Sequence, residues 1–519
     1  MPVNSTHSQY DENSPKWKRL RDVLAGEDAV KKAMTDYVPM LSGQDPLEYQ
    51  AYLGRGLFYA ATSRTLDGLS GMISRKDPTV KKPGNVLDVF LLDVDMLGNP
   101  LADYAKTALD EVISVGRGGT LVDWNDEENR PVWSWYDAET ILNWRMIRIA
   151  GKMRLGLVVL AEQIEQEKAI STTDGTTDDF TTTVVSQIRV LRLVPEGEAY
   201  QYQVEVWQQV KKGAEKAEWV LSDQMTPVRR GLALADIPFT FHGPSMSSSD
   251  VERSPLEDIA TANLNHFALD VDYKHGLFFT SHPTPIVAGI DSKTELKVGS
   301  TNAWVSENVN FKASYMEASG SGLGQYVTAF ERIEKQMAIL GVRMLEQQKA
   351  GVETVQAMQL RQGGEGSVLA AIAQSLSQSL THALKWAVWW QGTDESPEAI
   401  DDETVSIQLN TEFEPWTMDS ASMQAMVSAW QGKAISRDTL FWNLNRGGII
   451  PPGRTLEDEQ AKIDAEAPAL TGTPMDLGDE QAGGDAGGPP DPGQKKPDNM
   501  LGKGQNMPGA KAGKPESKA

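Results

Sequence analysis

Residues 254–279 read SPLEDIATANLNHFALDVDYKHGLFF. Ser254-Pro255-Leu256-Glu257 has the form of a capping box with proline at the first helical position. Leu256, Ile259, Ala260, Leu264, Phe267 and Val271 recur at three- and four-residue spacing, which predicts one buried helix face. The turn-rich His282-Pro283-Thr284-Pro285 follows. Ile286–Ile290 and Ala303–Val305 have the composition of short strands. After Gly320-Ser321-Gly322 a second amphipathic pattern begins, with Leu323, Val327, Phe330, Met337, Leu340 and Met344 as its stripe. Gly363-Gly364-Glu365-Gly366 then precedes a third long helix, Ser367–Gln391, striped by Leu369, Ile372, Leu376, Leu380, Leu384 and Val388. Two long helices around a small β unit, then a third, set the architecture.

Outward from this stretch, Asp45-Pro46-Leu47-Glu48 is a second capping signature. Its pattern continues past Arg55-Gly56 to about Ile73, where Arg75-Lys76-Asp77-Pro78 ends it. Ser14-Pro15 opens a short helix carrying Trp17, Leu20 and Leu24. Leu101–Val115 is a further helix. From Thr120 to about Phe241 the period changes to two. Candidate strands are Leu121–Trp124, Val132–Tyr136, Ile141–Ile149, Arg154–Leu160, Ile188–Val194 and Tyr200–Trp207, with a polar tip at Ser171–Thr183. Short helices are expected at Ser420–Gln431, Ser436–Asn445 and Leu456–Ala465. The segment 471–519, with eleven Gly, seven Pro and no aromatic residue, reads as a disordered tail.

Composition narrows the chemistry. Lys+Arg is 49 against Asp+Glu 72, a net charge of −23, and there is no cysteine among 519 residues. A tight DNA clamp with a basic surface is disfavoured. Cysteine-based metal, cluster and nucleophile sites are excluded. The polar N-terminus lacks the pattern of a signal peptide, and no stretch reaches the apolar length of a membrane span, so a soluble, cytoplasmic chain is expected.

No catalytic constellation emerges. Gly116-Arg117-Gly118-Gly119-Thr120 follows a helix and precedes a strand, the reverse of a phosphate loop, and reads as a helix C-cap turn. G-x-x-x-x-G-K-[ST], H-E-x-x-H and G-x-S-x-G are all missing. His266 and His275 lie near Asp270 and Asp272, but a structural role outweighs a metal site there. Acid pairs such as Asp93/Asp95 and Asp401/Asp402 read as solvated surface in so acidic a chain. Trp133, Trp135, Trp144, Trp207 and Trp219 fall in strands, and Trp386, Trp389 and Trp390 in a helix. Packing is the simpler account of them than sugar platforms.

The segment Ser254–Ile290 resembles a branch of tailed-bacteriophage portal proteins, the head-to-tail connector family. The resemblance continues through LKVGSTNAWVSENVNFKASYMEASGSGLGQ (296–325), EKQMAILGVRMLE (334–346) and VETVQAMQLRQGGEGSVLAAIAQSLSQSL (352–380). VSIQLNTEFE (405–414), ISRDTLFWNLNRGGII (435–450), YLGRGLFYAATSRTLDGLSGMISRKDP (52–78) and GRGGTLVDW (116–124) fit as well. It covers about Leu47–Glu466.

The resemblance implies an α+β, ring-forming portal fold with wing, stem, clip and a small crown-like region. Element order then maps 1–244 as N-terminal wing, 245–275 as first stem helix, 276–320 as clip and 321–349 as second stem helix. It maps 350–366 as a loop facing a DNA channel, 367–400 as a long wing helix and 401–470 as C-terminal wing and crown-like helices. Val184–Trp207 has no set place in that scheme. The implied role is a ring of about twelve subunits at one capsid vertex, a conduit for double-stranded DNA with no enzymatic activity and no cofactor. Its implied partners are the terminase large subunit, major capsid and scaffold proteins, and a head-completion or tail adaptor. No membrane is involved, and the chain would assemble in the host cytoplasm and end in the virion. Channel candidates are Lys349, Arg361, Gln362, Gly363, Gly364 and Gly366. Clip candidates for terminase docking are His282, Pro283, Pro285, Lys293 and Glu295. The competing readings are another phage head or adaptor protein, and a polysaccharide hydrolase built on carboxylates and tryptophans.

Overall fold

The computed structural model describes residues 2–85, 87–167, 182–197, 199–210, 218–245, 248–282, 284–289, 304–316, 320–343, 368–394, 396–411, 413, 420–446, 449–450 and 454–466. It mixes helix and sheet and divides into two units, Met1–Pro415 and Trp416–Ala519.

The first unit opens with helices α1 (Ser8–Ala25), α2 (Glu27–Lys32), α3 (Pro46–Arg55) and α4 (Ala61–Ile73), followed by strand β1 (Thr79–Lys81), α5 (Asp88–Leu92) and α6 (Leu101–Val115). At α3 the predicted capping box forms. Asp45 accepts from the N–H groups of Leu47 and Glu48 at 2.8 Å, and Glu48 accepts from Asp45 N–H at 3.3 Å. Two boundaries differ from the sequence reading. α1 starts at Ser8, six residues before Ser14. His7 caps it, with Gln9 N–H donating to Nδ1 at 3.2 Å, and the His7 ring stacks 4.1 Å from Trp144. Pro15 is carried inside the helix. The single helix expected from Pro46 to Ile73 is broken between Arg55 and Ala61. A Cβ on Gly56 would stand 2.4 Å from Val271 Cγ2 and 3.0 Å from Phe267 Cε2, so only glycine allows this close approach.

Strands β2 (Gly118–Asn125), β3 (Arg130–Asp137), β4 (Ile141–Ile149), β5 (Lys152–Glu167), β6 (Thr182–Glu196), β7 (Ala199–Val210), β8 (Glu218–Met225), β9 (Val228–Arg229), β10 (Leu232–Ala233) and β11 (Phe239–His242) come next. β4 to β8 form a five-stranded antiparallel meander in chain order, and β11-β2-β3 form a three-stranded sheet. The segment 184–207, unplaced from sequence, supplies β6 and β7 at the centre of the meander. β8 and β11 were not anticipated. The Gly116–Thr120 turn is the expected helix C-cap: Gly116 has φ +79° and its N–H bonds Val112 O at 3.1 Å. Gly118 and Gly119 serve packing, since Cβ atoms there would lie 2.5 Å from Trp135 and 2.2 Å from Phe239.

The rest of the unit is α7 (Glu257–Ser281), β12 (Thr284–Ala288), β13 (Lys312–Met316), α8 (Leu323–Arg343), α9 (Val368–Gln391) and β14 (Ser406–Gln408), which pairs with β1. α6 and α9 are buried on almost every side and form the centre of the core, with Trp133, Leu109, Leu376 and Leu384 fully covered. The second unit contributes α10 (Ser420–Gln431), α11 (Arg437–Arg446) and α12 (Leu456–Glu466), close to their predicted spans. β14 and its approach from Asp401 belong to the first unit. The predicted tail 471–519 and the polar tip at 171–181 lie outside the described residues.

Candidate functional site

α7 and α8 pack side by side and antiparallel. Gly276 faces Leu323, where a Cβ would meet Leu323 Cδ2 at 2.9 Å. Tyr273 lies 5.9 Å from Tyr326 and 5.6 Å from Phe330, and His266 lies 5.1 Å from Phe330. Contacts that descend on one helix as they ascend on the other define the direction. The helices have 25 and 21 residues, lengths of about 37 Å and about 31 Å.

α7 is fastened to the N-terminal helices by its polar residues. Asn263, fully buried, accepts from Thr62 N–H at 3.2 Å and Thr62 Oγ1 at 3.0 Å, and donates to Tyr59 O at 2.7 Å. Asp270 accepts from Leu57 N–H at 2.7 Å. Asp272 accepts from the Tyr52 hydroxyl, and burial together with that bond raises the tyrosine's pKa. The Arg55 guanidinium sits 4.0 Å over the Phe278 ring. Asn263 and Asp270 thereby satisfy backbone groups of Leu57, Tyr59 and Thr62 where α3 breaks from α4.

The expected capping box does not form at the α7 entrance: the helix begins at Glu257, and Ser254 and Pro255 lie before it. Ser254 Oγ accepts from Leu256 N–H at 3.1 Å and donates to Ser114 O at 2.6 Å. Glu257 turns outward to Arg253 at 2.8 Å and Arg19 at 3.2 Å, because those cations outcompete the backbone N–H of Ser254. The far end also differs. α7 continues through Gly276 to Ser281, so the 275/276 boundary falls inside the helix, with Gly276 giving α8 its close approach.

α8 is covered on one narrow face. Ile333 and Met337 are buried, whereas Val327 is 46% exposed. The observed line Leu323, Tyr326, Phe330, Ile333, Met337 and Leu340 alternates steps of three and four. Val327 falls off that line, and Ile333 belongs on it. Between the helices β12 and β13 pair antiparallel, Thr284 with Met316 and Ala288 with Lys312. The second strand is therefore Lys312–Met316. Trp304 and Val305, predicted as strand, are irregular, and Val305 is 90% exposed.

Of the clip candidates, His282 ends α7, exposed, with Nδ1 2.9 Å from Phe278 O. Pro285 lies in β12 opposite Tyr315. Pro283, Lys293 and Glu295, and all six channel candidates, Lys349, Arg361, Gln362, Gly363, Gly364 and Gly366, lie outside the described residues. The two that are placed share the junction of α7 and the β12–β13 pair.

The other sequence temptations resolve into packing. His266 Nε2 lies 3.4 Å from Glu334 across the α7–α8 contact, and no group of three metal-binding side chains occurs among the described residues. Against the upward push of burial, the N–H bond from Gly98 and then the pairing with Arg130 at 2.9 Å hold the Asp93 carboxyl below the usual range. A groove of about 870 Å³ runs between α9 and β14, lined by Ser377, Thr381, His382, Lys385, Asp402 and Glu403 among others. No tryptophan among the described residues lines it, and Asp402 is paired with Lys385 at 2.5 Å.

What sequence reading missed is the seam of Tyr52, Arg55, Asn263, Asp270 and Asp272. Asp270 and Asp272 were visible as an acid pair on one helix, but their partners lie some 200 residues away and carry no local signal.

Residues 255–391 match a family described as Domain of unknown function (DUF4055). That span begins just before α7 and ends on the last residue of α9. No curated protein matches the chain. Among solved structures, the chain is similar to a component of the neck of an empty gene transfer agent particle computed with C6 symmetry. That match has a TM-score of 0.36 and 12% identity, covering 81% of this chain and 98% of the other. A chain of the native gene transfer agent virion matches with a TM-score of 0.32 and 12% identity, over 82% of this chain and all of that one. A chain of the native particle's neck computed with C12 symmetry matches with a TM-score of 0.28 and 11% identity, over the same shares. No helix among the described residues is long and apolar enough to cross a membrane.

Proposed function

We propose that this chain is a phage portal protein: a ring-forming conduit for double-stranded DNA at one vertex of a capsid, and a docking platform for the packaging motor. The observation that carries this reading is the antiparallel pair α7 and α8 enclosing the β12–β13 pair, followed by the buried helix α9. That order matches the stem, clip, stem and long wing helix implied by the sequence resemblance. The chain would catalyse nothing itself, and a separate terminase would supply the energy of packaging. The absence of any P-loop sequence fits that division. A conduit has to pass every base sequence, so it needs no base-reading contacts. An overall charge of −23 per chain discourages gripping, and a few local cations suffice for transient phosphate contact.

The purified chain tests this directly. A ring of about twelve copies of a 56.8 kDa chain should weigh roughly 680 kDa and show a central hole in negative-stain images. A monomer that persists at high concentration would overturn the proposal.

A further inference from the structure

Among the described residues, the five-stranded sheet β4–β8 ends in two strands with one neighbour each. At one end, β8 has the sequence Glu-Trp-Val-Leu-Ser-Asp-Gln-Met. Val220, Leu221 and Met225 are 44%, 40% and 45% exposed, and Val220 and Leu221 point to opposite faces. Edge strands that must stay unpaired are commonly blunted by lysine or proline, and β8 has neither.

At the other end, the first part of β4 is covered by the N-terminal segment. His7 N–H donates to Leu142 O at 2.9 Å, and Asn143 Nδ2 donates to Ser5 O at 2.9 Å. Beyond that cover, Arg145–Ile149 pairs only with β5 among the described residues. This open stretch of five residues spans about 17 Å.

The two open edges carry opposite charge. Arg145 and Arg148 are exposed on β4, and Glu218 and Asp223 are exposed on β8. None of the four makes an ion pair with another described residue. We propose that β8 of one copy pairs with Arg145–Ile149 of β4 in the next copy, so that the sheets of neighbouring subunits run on into one another. β8 supplies exposed Val220 and Leu221 between the acids Glu218 and Asp223. β4 supplies an unpaired backbone flanked by arginines. The two edges are different surfaces of one chain, so the contact is head to tail, and repetition closes it into a ring or extends it as a filament. The inference rests on the ring reading of the chain, for which closure is required.

The absence of native cysteine makes a cross-linking test clean. Four double variants combine Arg145→Cys or Arg148→Cys with Glu218→Cys or Asp223→Cys in one chain. Mild oxidation should give a ladder of covalent multimers from at least one of them, while single-cysteine variants yield none. Separately, Arg145→Glu/Arg148→Glu and Glu218→Arg/Asp223→Arg should each lower the assembled fraction at least tenfold at low salt, and the fourfold reversal should restore it. No ladder from any of the four pairs, or no recovery in the fourfold variant, overturns the proposal. If rings of the unaltered chain are still seen, the ring reading survives that failure. If the unaltered chain forms no rings, the ring reading falls with it.

Discussion

Acid should destabilise this protein, and His242 should carry a large share of the effect. His242 ends β11 and is fully buried, its ring stacked 5.4 Å from Trp135. Nε2 lies 2.7 Å from Thr120 Oγ1, which lies 2.8 Å from the Tyr104 hydroxyl, and Nδ1 lies 2.7 Å from Ser379 Oγ on α9. Burial first, and His382 second, push the imidazole pKa down from 6.5 to about 3. The folded state thus favours the neutral ring. That contribution is complete above pH 6.5 and is lost progressively as the pH falls from there down through 3. Between pH 7 and pH 4.5 the loss amounts to about 3 kcal/mol, two decades of protonation in the unfolded chain that the folded chain refuses. His242→Gln removes the titration. It forfeits one of the ring's two hydrogen bonds, at about 1 kcal/mol. Denaturant unfolding at fixed protein concentration, run at several pH values on both proteins, reads the difference. The wild type should be the more stable near pH 7 and should converge on, then fall below, the variant by pH 4.5. Parallel pH profiles would refute the reasoning.

Gly56→Ala places a methyl within 2.4 Å of Val271 Cγ2. It should cost about 1–3 kcal/mol as overpacking, seen as a lowered Tm, and an unchanged Tm would show that α7 yields freely. Replacing Lys349 and Arg361 together by Ala should shorten the packaged genome, and unchanged packaging would remove their role in phosphate contact. Converting Gly363, Gly364 and Gly366 to Ala should impair packaging while rings still form, if backbone freedom matters there. A normal plaque yield would count against it.

Elements with strong internal periodicity were legible to the residue or nearly so: Leu101–Val115, Ile141–Ile149, Ser420–Gln431 and the start of α9. Their hydrophobic pattern and caps lie within the segment, so no distant partner is needed to define them. The misread boundaries share the opposite property. α1 begins early because His7 stacks on Trp144, α3 and α4 separate because Gly56 meets α7, and Gly276 stays helical because α8 lies against it. At Pro15 and Gly276 a tertiary contact overrides the local helix-breaking signal, whereas at Gly56 the contact with α7 reinforces it. β8 was missed for a related reason. Its apolar residues alternate poorly because, among the described residues, Trp219 packs on the Val159, Ile188 and Val190 cluster while Val220 and Leu221 both stay exposed. Of the candidate site, sequence gave the order of helices around the β pair, while the seam that fixes α7 to the body depends on pairs such as Tyr52–Asp272 that no local pattern marks.

The fixing of α9 has a consequence for motion. Four hydroxyls at alternate positions reach four different neighbours. Ser375 donates to Gly243 O at 2.8 Å, Ser377 accepts from Leu409 N–H at 3.0 Å, Ser379 bonds His242 at 2.7 Å, and Thr381 accepts from Ile407 N–H at 2.9 Å. At the other end Arg229 Nη2 donates to Gly392 O at 2.6 Å. A helix held this way can neither slide nor rotate without breaking several bonds at once, each worth about 0.5–1.5 kcal/mol net, in addition to its apolar burial. Among the described residues α8 has no comparable row of hydroxyl anchors, and Glu334 meets His266 of α7 at 3.4 Å. Segmental movement should therefore be taken up by α8 sooner than by α9, which acts as the fixed post. Native-state hydrogen exchange decides the point, because amides that open only with the whole molecule exchange at the global rate. α9 amides should exchange at that rate. If they exchange through a lower-energy local opening, the post is itself mobile and the division of labour between the two helices is wrong.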